Sequence, residues 1–484
     1  MTLSALDRYR PGRLDRLGER GVVLGGSVAG LCAARVLADA FAEVVVVERD
    51  SLPDGPVARD GAPQTSHPHA LLASGQATLE DFFPGFGEDL TAAGGLVVDV
   101  SRQLVEYQKG GYLAPAPERT PSYCASRPLF EHVVRERLRA RETVRLRDDC
   151  RFVGYRTDET GWAVTGVTVR EDGVTDEITA DLVVDATGRA SRTPEWLAAN
   201  GFRAPPEDRV GIDLQYASLR VERPAEDRRM INVPADPPAT RGAVVIPIED
   251  GQWEVLLAEV HGEDPPADRE AVLDFADELP VDLVGDLLRR QRWVSDVARY
   301  PFPASLRRRY EALDEFPDGL VVTGDAVSSF NPAYGQGMSV AALDAVVLHH
   351  ALSDGLEDLP RRFFDRLAPV LETPWRMATG ADYQYPQTEG EPSLGGKLFG
   401  WYFDRLLRAA NDDGALSAAY SEVLELERPP TALLRPGVLA RVFLPVGGGA
   451  PDPDPSQLAP PSEESDRANE REPAAERERP LRPT

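Results

Sequence analysis

Residues 21–30 read Gly21-Val22-Val23-Leu24-Gly25-Gly26-Ser27-Val28-Ala29-Gly30, and Val44-Val45-Val46-Val47-Glu48 follows shortly after. Gly21–Leu24 predicts a short apolar strand that ends in glycines. Leu31 to Ala40 is rich in Ala and Leu, with Arg35 and Asp39 as polar breaks, which predicts a helix packed on a sheet. Val44–Val47 is a continuous β-branched run, the pattern of a strand covered on both faces. Strand, tight turn, helix and strand make a βαβ unit that opens an α/β domain. In a dinucleotide-binding fold Gly25 makes the sharp turn, Gly26 follows it, and Gly30 lets helix and strand pack closely. Ser27 stands where the middle glycine of GxGxxG belongs. A pyrophosphate would sit on the helix N-terminus, where free N–H groups and the helix dipole favour an anion. Glu48, 18 residues beyond Gly30 and next to Arg49, can take both ribose hydroxyls. Two other readings are a nucleophile elbow with Ser27 exposed, which lacks its second glycine because Ala29 stands there, and a plain packing turn.

Working outward, the 484 residues allow two to three domains, and a 42% hydrophobic composition supports a large core. The formal net charge of −27 excludes the basic footprint of a nucleic-acid binder. Lys109 and Lys397 are the two lysines among 53 positive residues, so 53 − 2 leaves 51 arginines. Such an acidic, lysine-poor surface fits salt adaptation, and a GC-rich genome gives the same bias. Cys32, Cys124 and Cys150 stand in no metal or disulfide spacing. The polar N-terminus carries no apolar signal region, and no run reaches the roughly 18 apolar residues of a transmembrane segment. The expected location is the cytoplasm.

A long polar loop spans Asp50–His69. A helix is expected over about Leu129–Ala140, just after Arg127. Residues 150–184 read as a meander that ends in another buried strand. From Gly211 to Pro303 the texture changes. Strands are expected at Ile212–Val221, Ala243–Ile248 and Trp253–Val260, with a helix at Asp268–Leu279. They are amphipathic, as in an antiparallel sheet with one covered face. A buried strand returns before Gly324, and Gly337–Ser353 reads as a helix. The chain is thus divided into a Rossmann-like α/β domain (1–210 and 304–355), an inserted antiparallel β-sheet domain for substrate (211–303), a helical C-terminal region (356–446) and a disordered tail (447–484).

Two further motifs carry chemistry. Gly324-Asp325-Ala326, followed by Pro332-Ala333-Tyr334-Gly335-Gln336-Gly337-Met338, puts an acid at a strand end, where it can accept from sugar hydroxyls. The backbone of Gly335 and Gly337 can approach a planar ring, and the helix that follows points its positive end at it. Asp185-Ala186-Thr187-Gly188-Arg189 is a second strand end with a glycine turn.

The fingerprint at Gly25–Gly30 and the late Gly324-Asp325 block together resemble flavoprotein monooxygenases of the p-hydroxybenzoate hydroxylase type. The Thr187-Gly188 turn is similar to the Asp-Gly motif of those enzymes, with Thr187 in the Asp position. Arg59 to Leu72, with His67 and His69, resembles the bacterial FAD-dependent epoxidases of polyether antibiotics, of the lasalocid and monensin type. Pro247–Gly251 with Trp253, and Pro374-Trp375 through Thr379, Asp382, Tyr385 and Pro386, are similar to that group too. The resemblance spans about residues 20 to 390. It implies FAD held by Gly25, Gly30, Glu48, Arg59, Arg127 and Asp325, with the two arginines toward the pyrophosphate and ribityl region. His67 and His69 are expected to shape the flavin pocket or to make structural hydrogen bonds, and no metal site is expected.

The activity implied is oxygen transfer from a flavin C4a-hydroperoxide to a small apolar alkene or aromatic substrate, with molecular oxygen consumed. No side chain is nominated as a catalytic acid or base. Only one dinucleotide fingerprint is present, so NAD(P)H would bind transiently or a separate flavin reductase would supply electrons. The same framework serves reductases of isoprenoid double bonds, resembling geranylgeranyl reductases, and a non-catalytic flavin-binding protein is a further alternative. Flavin-dependent halogenases share the fold, but Asp250-Gly-Gln-Trp253 is not their tryptophan motif. The apolar stretches 397–407 and 431–446 are expected to pack in the core or to touch a membrane or greasy substrate.

Overall fold

The computed structural model describes residues 2–59, 61–262, 264–390 and 396–443. The disordered tail expected at 447–484 lies outside them. Strand β1 (Gly18–Leu24), helix α1 (Val28–Leu37) and strand β2 (Phe41–Val47) form the opening βαβ unit. They sit at the middle of a five-stranded parallel sheet, whose order is Leu320–Val322, Leu182–Asp185, β1, β2, Val144–Arg147. The unbroken β-branched runs follow from burial on both faces. Val23, Val44, Val46 and Val184 pack against a helical layer that includes α1 and the helices Arg127–Arg139, Gly337–Leu352 and Leu359–Asp382. Their alternating neighbours Val22, Val45, Val47 and Val183 face the antiparallel meander of Cys150–Thr157, Val164–Glu171 and Val174–Thr179.

A second sheet has eight strands and stands beside the first. Its centre is Glu207–Glu222, Gln252–Val260 and Arg241–Ile248, paired antiparallel. One face packs on the helices Arg269–Asp277 and Leu283–Arg290. This sheet runs past the bounds expected for the insertion. Leu104–Gln108 and Gly111–Tyr112 join at one end, Ala298–Arg308 and Ser328–Ser329 at the other. Ala298–Arg308 contains Pro301 and Pro303, which argue against a strand. Pro301 pairs with Gln215 on one side, and the other side of the strand is partnered only at Leu306 and Arg307. Pro303 lies where the register with Glu207–Glu222 shifts, between Gly211 and Leu214, so the prolines stand beside an irregularity of the ladder rather than in its regular part.

In the C-terminal region, Tyr402, Leu406 and Leu407 pack with Leu416, Tyr420, Val423 and Leu433 in a separate small core. Phe399, Trp401, Leu434 and Phe443 remain exposed. No helix among the described residues is long and apolar enough to cross a membrane.

Candidate functional site

The site is built at the C-terminal ends of the parallel strands, where α/β folds place ligands. Gly25 leaves β1 at φ +103°, and its N–H donates to the Val47 carbonyl at 2.8 Å. A Cβ there would lie 2.5 Å from the Ala186 carbonyl oxygen, and one at Gly30 would lie 1.8 Å from that of Gly25. Both glycines are required by close packing of backbone on backbone. The Gly26 N–H donates to Glu48 Oε2 at 2.7 Å.

Ser27 occupies the N-cap of α1, but its hydroxyl does not cap the helix. It accepts from Arg127 at 2.8 Å and donates to Glu131 at 3.2 Å. The first-turn N–H groups thus keep their capacity for another acceptor. Arg127 is 3% exposed, and its Nη1 has no hydrogen-bond partner among the described residues. Burial lowers its pKa against the pull of Glu131. Arg59 is buried among Glu131 at 2.8 Å, Asp50 at 3.1 Å and Glu48 at 3.4 Å. Burial opposes its charge, but Glu131, Glu48 and Asp50 outweigh it and hold the guanidinium above its ordinary pKa. Arg49 lies at the edge of this cluster, with Nε 3.8 Å from Asp50 and Nη2 donating to the Gly61 carbonyl at 2.8 Å.

The late motif meets the early one directly. Gly324 has φ +63°, and a Cβ on it would lie 2.7 Å from Ala29 Cβ. Asp325 opens into the cleft although protein surrounds it. Burial pushes its pKa up, and Arg189 and Arg127 pull it back. Behind the turn, Asp344 Oδ2 accepts from the Gly324 N–H at 3.1 Å. Pro332 and Gly337 are exposed toward the cleft, and a Cβ on Gly337 would meet nothing within 4 Å. Gly335 turns at φ +63° against Ala70. Asn331 and Tyr334 anchor this loop on the buried carboxylate of Asp382, at 2.8 and 3.0 Å.

At the third motif, Asp185 accepts from the Thr187 N–H and hydroxyl (2.9 and 2.6 Å) and from the hydroxyls of Ser191 and Thr193 (2.5 Å each). The Thr187 hydroxyl therefore points back into the turn. Gly188 has φ +82° and open space around it. His67 Nδ1 meets Ser218 Oγ at 2.8 Å and His69 Nδ1 meets the His67 carbonyl at 2.8 Å, so Nδ1 of each ring is committed to a local bond. Burial lowers their pKa values to about 4 and about 3.

Sequence reasoning did not nominate Asp185, Arg189, Asp344 or Glu131. Their roles come from contacts made across the fold rather than from local spacing. The strand-end position of Asp185, two residues before Thr187, was the one local signal available.

The arrangement suits a dinucleotide that carries a planar ring. A guanidinium nitrogen without an acceptor and an uncapped helix N-terminus await an anion at one end. A carboxylate open to the cleft and a bare glycine backbone lie at the other. The comparisons agree. A family described as FAD binding domain matches residues 88–359. Protein Rv3254 of Mycobacterium tuberculosis is 33% identical over 430 residues, covering 84% of this chain and 89% of that protein. Kynurenine 3-monooxygenase of Salinispora arenicola is 27% identical over 366 residues, 70% of this chain and 74% of the relative. Among solved structures, the flavin-dependent brominase Bmp2 has TM-score 0.60 at 15% identity, over 84% of this chain and 94% of that one. Pseudomonas aeruginosa PqsL in complex with 2-aminobenzoylacetate has TM-score 0.57 at 19% identity, over 84% and 100%. At those identities the two structures show a shared fold. With the family matched over more than half its length, the chain belongs to the FAD binding domain family and is an FAD-dependent oxidoreductase of the flavin monooxygenase type.

Proposed function

We propose that the chain transfers one oxygen atom to an alkene or aromatic carbon of a small apolar substrate, with FAD held between the two motifs. The observation that carries this reading is the open carboxylate of Asp325 at the foot of the Pro332–Gly337 loop, set against the uncapped end of α1. When bound, FAD supplies the electron transfer to oxygen. The chain's own residues bind and orient it. The first-turn N–H groups of α1 and Arg127 Nη1 would take the diphosphate. Glu48 would exchange the Gly26 N–H for ribose hydroxyls. Asp325 would accept from the ribityl hydroxyls, and the Gly335–Gly337 backbone would lie on the ring. The second sheet meets the loop beside the cleft through Ser218 against His67.

The resemblance to polyether-type epoxidases supports an alkene as acceptor. Thr187, turned inward on Asp185, supports a separate flavin reductase as electron source over a lasting NAD(P)H site. Halogenation, known from the name of a fold neighbour, is disfavoured because Asp250-Gly251-Gln252-Trp253 is not the tryptophan motif of the flavin-dependent halogenases.

The test supplies the FAD-loaded chain with reduced flavin, ¹⁸O₂ and a panel of apolar alkenes and arenes, and reads products by mass spectrometry. One ¹⁸O atom in a product supports the reading. Saturated products without ¹⁸O favour the double-bond reductase, and hydrogen peroxide alone with every panel member counts against oxygen transfer.

A further inference from the structure

A small cavity lies between the second sheet and the segment His69–Leu72, and Ala70 of that segment packs against the Gly335 turn. Its volume is about 60 Å³, room for the end of a ligand rather than a whole large molecule. The walls are mainly apolar, with Leu104, Met230 and Ile246 among them, and the residues with polar groups are His69, Ser122, Tyr123, Cys124 and Glu425.

Two of these groups, on His69 and Glu425, present a free acceptor. His69 Nδ1 faces the carbonyl of His67, which can only accept, so Nδ1 carries the proton and Nε2 is a bare acceptor. Glu425 receives the Ala73 N–H on Oε2 at 2.6 Å, which leaves Oε1 to accept again. Ser122 Oγ accepts an amide N–H from Gln76 at 2.7 Å and keeps its own O–H to donate. No arginine or lysine lines the space. A buried carboxylate without a cation is costly, and burial pushes Glu425 up to about 7. A ligand that brings donors or positive charge repairs this, whereas one that brings a carboxylate adds a second unpaired anion. The net charge of −27 favours cation approach at longer range.

We propose that this cavity receives the amine-bearing end of an apolar substrate, with the ammonium held by Glu425 and His69 Nε2. As an account of substrate recognition it rests on the monooxygenase reading, but the binding itself does not.

The test titrates hexylamine, 1-hexanol and hexanoate into the full chain by calorimetry, once with FAD bound and once without flavin. The inference expects hexylamine to bind at least tenfold tighter than 1-hexanol, and hexanoate to bind more weakly than either. Glu425→Gln keeps an acceptor for the Ala73 N–H and is expected to weaken hexylamine at least tenfold while FAD uptake stays the same. Met230→Phe fills the space and is expected to abolish hexylamine binding. Hexanoate binding as tightly as hexylamine, indifference to both substitutions, or competition between hexylamine and FAD would each overturn the inference. If FAD does not bind but hexylamine does, the preceding reading fails and the cavity assignment stands.

Discussion

The turn at Gly324 rests on Ala29, so closely that a Cβ on Gly324 would lie 2.7 Å from the Ala29 Cβ. This contact joins motifs about 300 residues apart in sequence and sets the spacing between Asp325 and the end of α1. Gly324→Ala is expected to cost about 1–3 kcal/mol through overpacking and its φ of +63°. Ala29→Gly should recover part of that loss in the double variant. Urea denaturation of the four proteins measures the coupling, and simple additivity would show that the contact is not tight.

Gly337 provides the contrast. A Cβ there meets no protein atom within 4 Å, so Gly337→Ala should leave the flavin-free chain as stable as before. FAD affinity should fall at least tenfold, because the methyl group would occupy the space of the ring. Thermal melts and flavin fluorescence titrations separate the two effects. Unchanged affinity would mean that the ring lies elsewhere.

Arg127 Nη1 is buried without an acceptor among the described residues, while Nη2 holds Ser27 and pairs with the buried Glu131 at 3.2 Å. Arg127→Met breaks that buried pair and should lower the melting temperature of the flavin-free protein. The same change should weaken FAD by about 1.5–3 kcal/mol, the range of hydrogen bonds to a charged group. A lower melting temperature with normal FAD affinity would make Arg127 a structural residue only.

Asp344 gives a pH signature. Burial, reinforced by the charge of Asp325, pushes its pKa to about 7, against the lowering effect of the Gly324 N–H. The folded chain therefore keeps a proton that the unfolded chain releases above about pH 4. This contribution to stability is complete below the unfolded pKa and is lost as pH rises through about 7. Asn does not titrate, so the stability of Asp344→Asn relative to the parent should increase between pH 4 and 7 by at least about 1 kcal/mol and then level off. Denaturation across that range checks it, and a constant difference would contradict the assignment.

The opening βαβ unit was legible because burial on both faces writes Val44–Val47 as an unbroken β-branched run. Gly25 and Gly30 were legible because backbone packs on backbone there. Ala298–Arg308 was not, since Pro301 and Pro303 read as strand breakers and the irregular register beside them is set by the distant strand Glu207–Glu222. Leu104–Gln108 was hidden because it is short and pairs with Met230–Asn232, far away in sequence. Asp185 and Asp344 look in sequence like ordinary acids in a strand and a helix. Their roles appear only when four donors converge on one and the Gly324 N–H on the other.

The most direct test of the central claim titrates FAD into the flavin-free chain and into Glu48→Ala and Asp325→Ala, read by flavin fluorescence and the visible spectrum. These residues would hold opposite ends of the cofactor. The account predicts one FAD per chain for the parent and at least tenfold weaker uptake in each variant, with the melting temperature unchanged in Asp325→Ala and lowered in Glu48→Ala, which removes the acceptor of the Gly26 N–H. A parent that takes up no FAD, or variants that bind it as tightly as the parent, would contradict the placement of FAD between the two motifs.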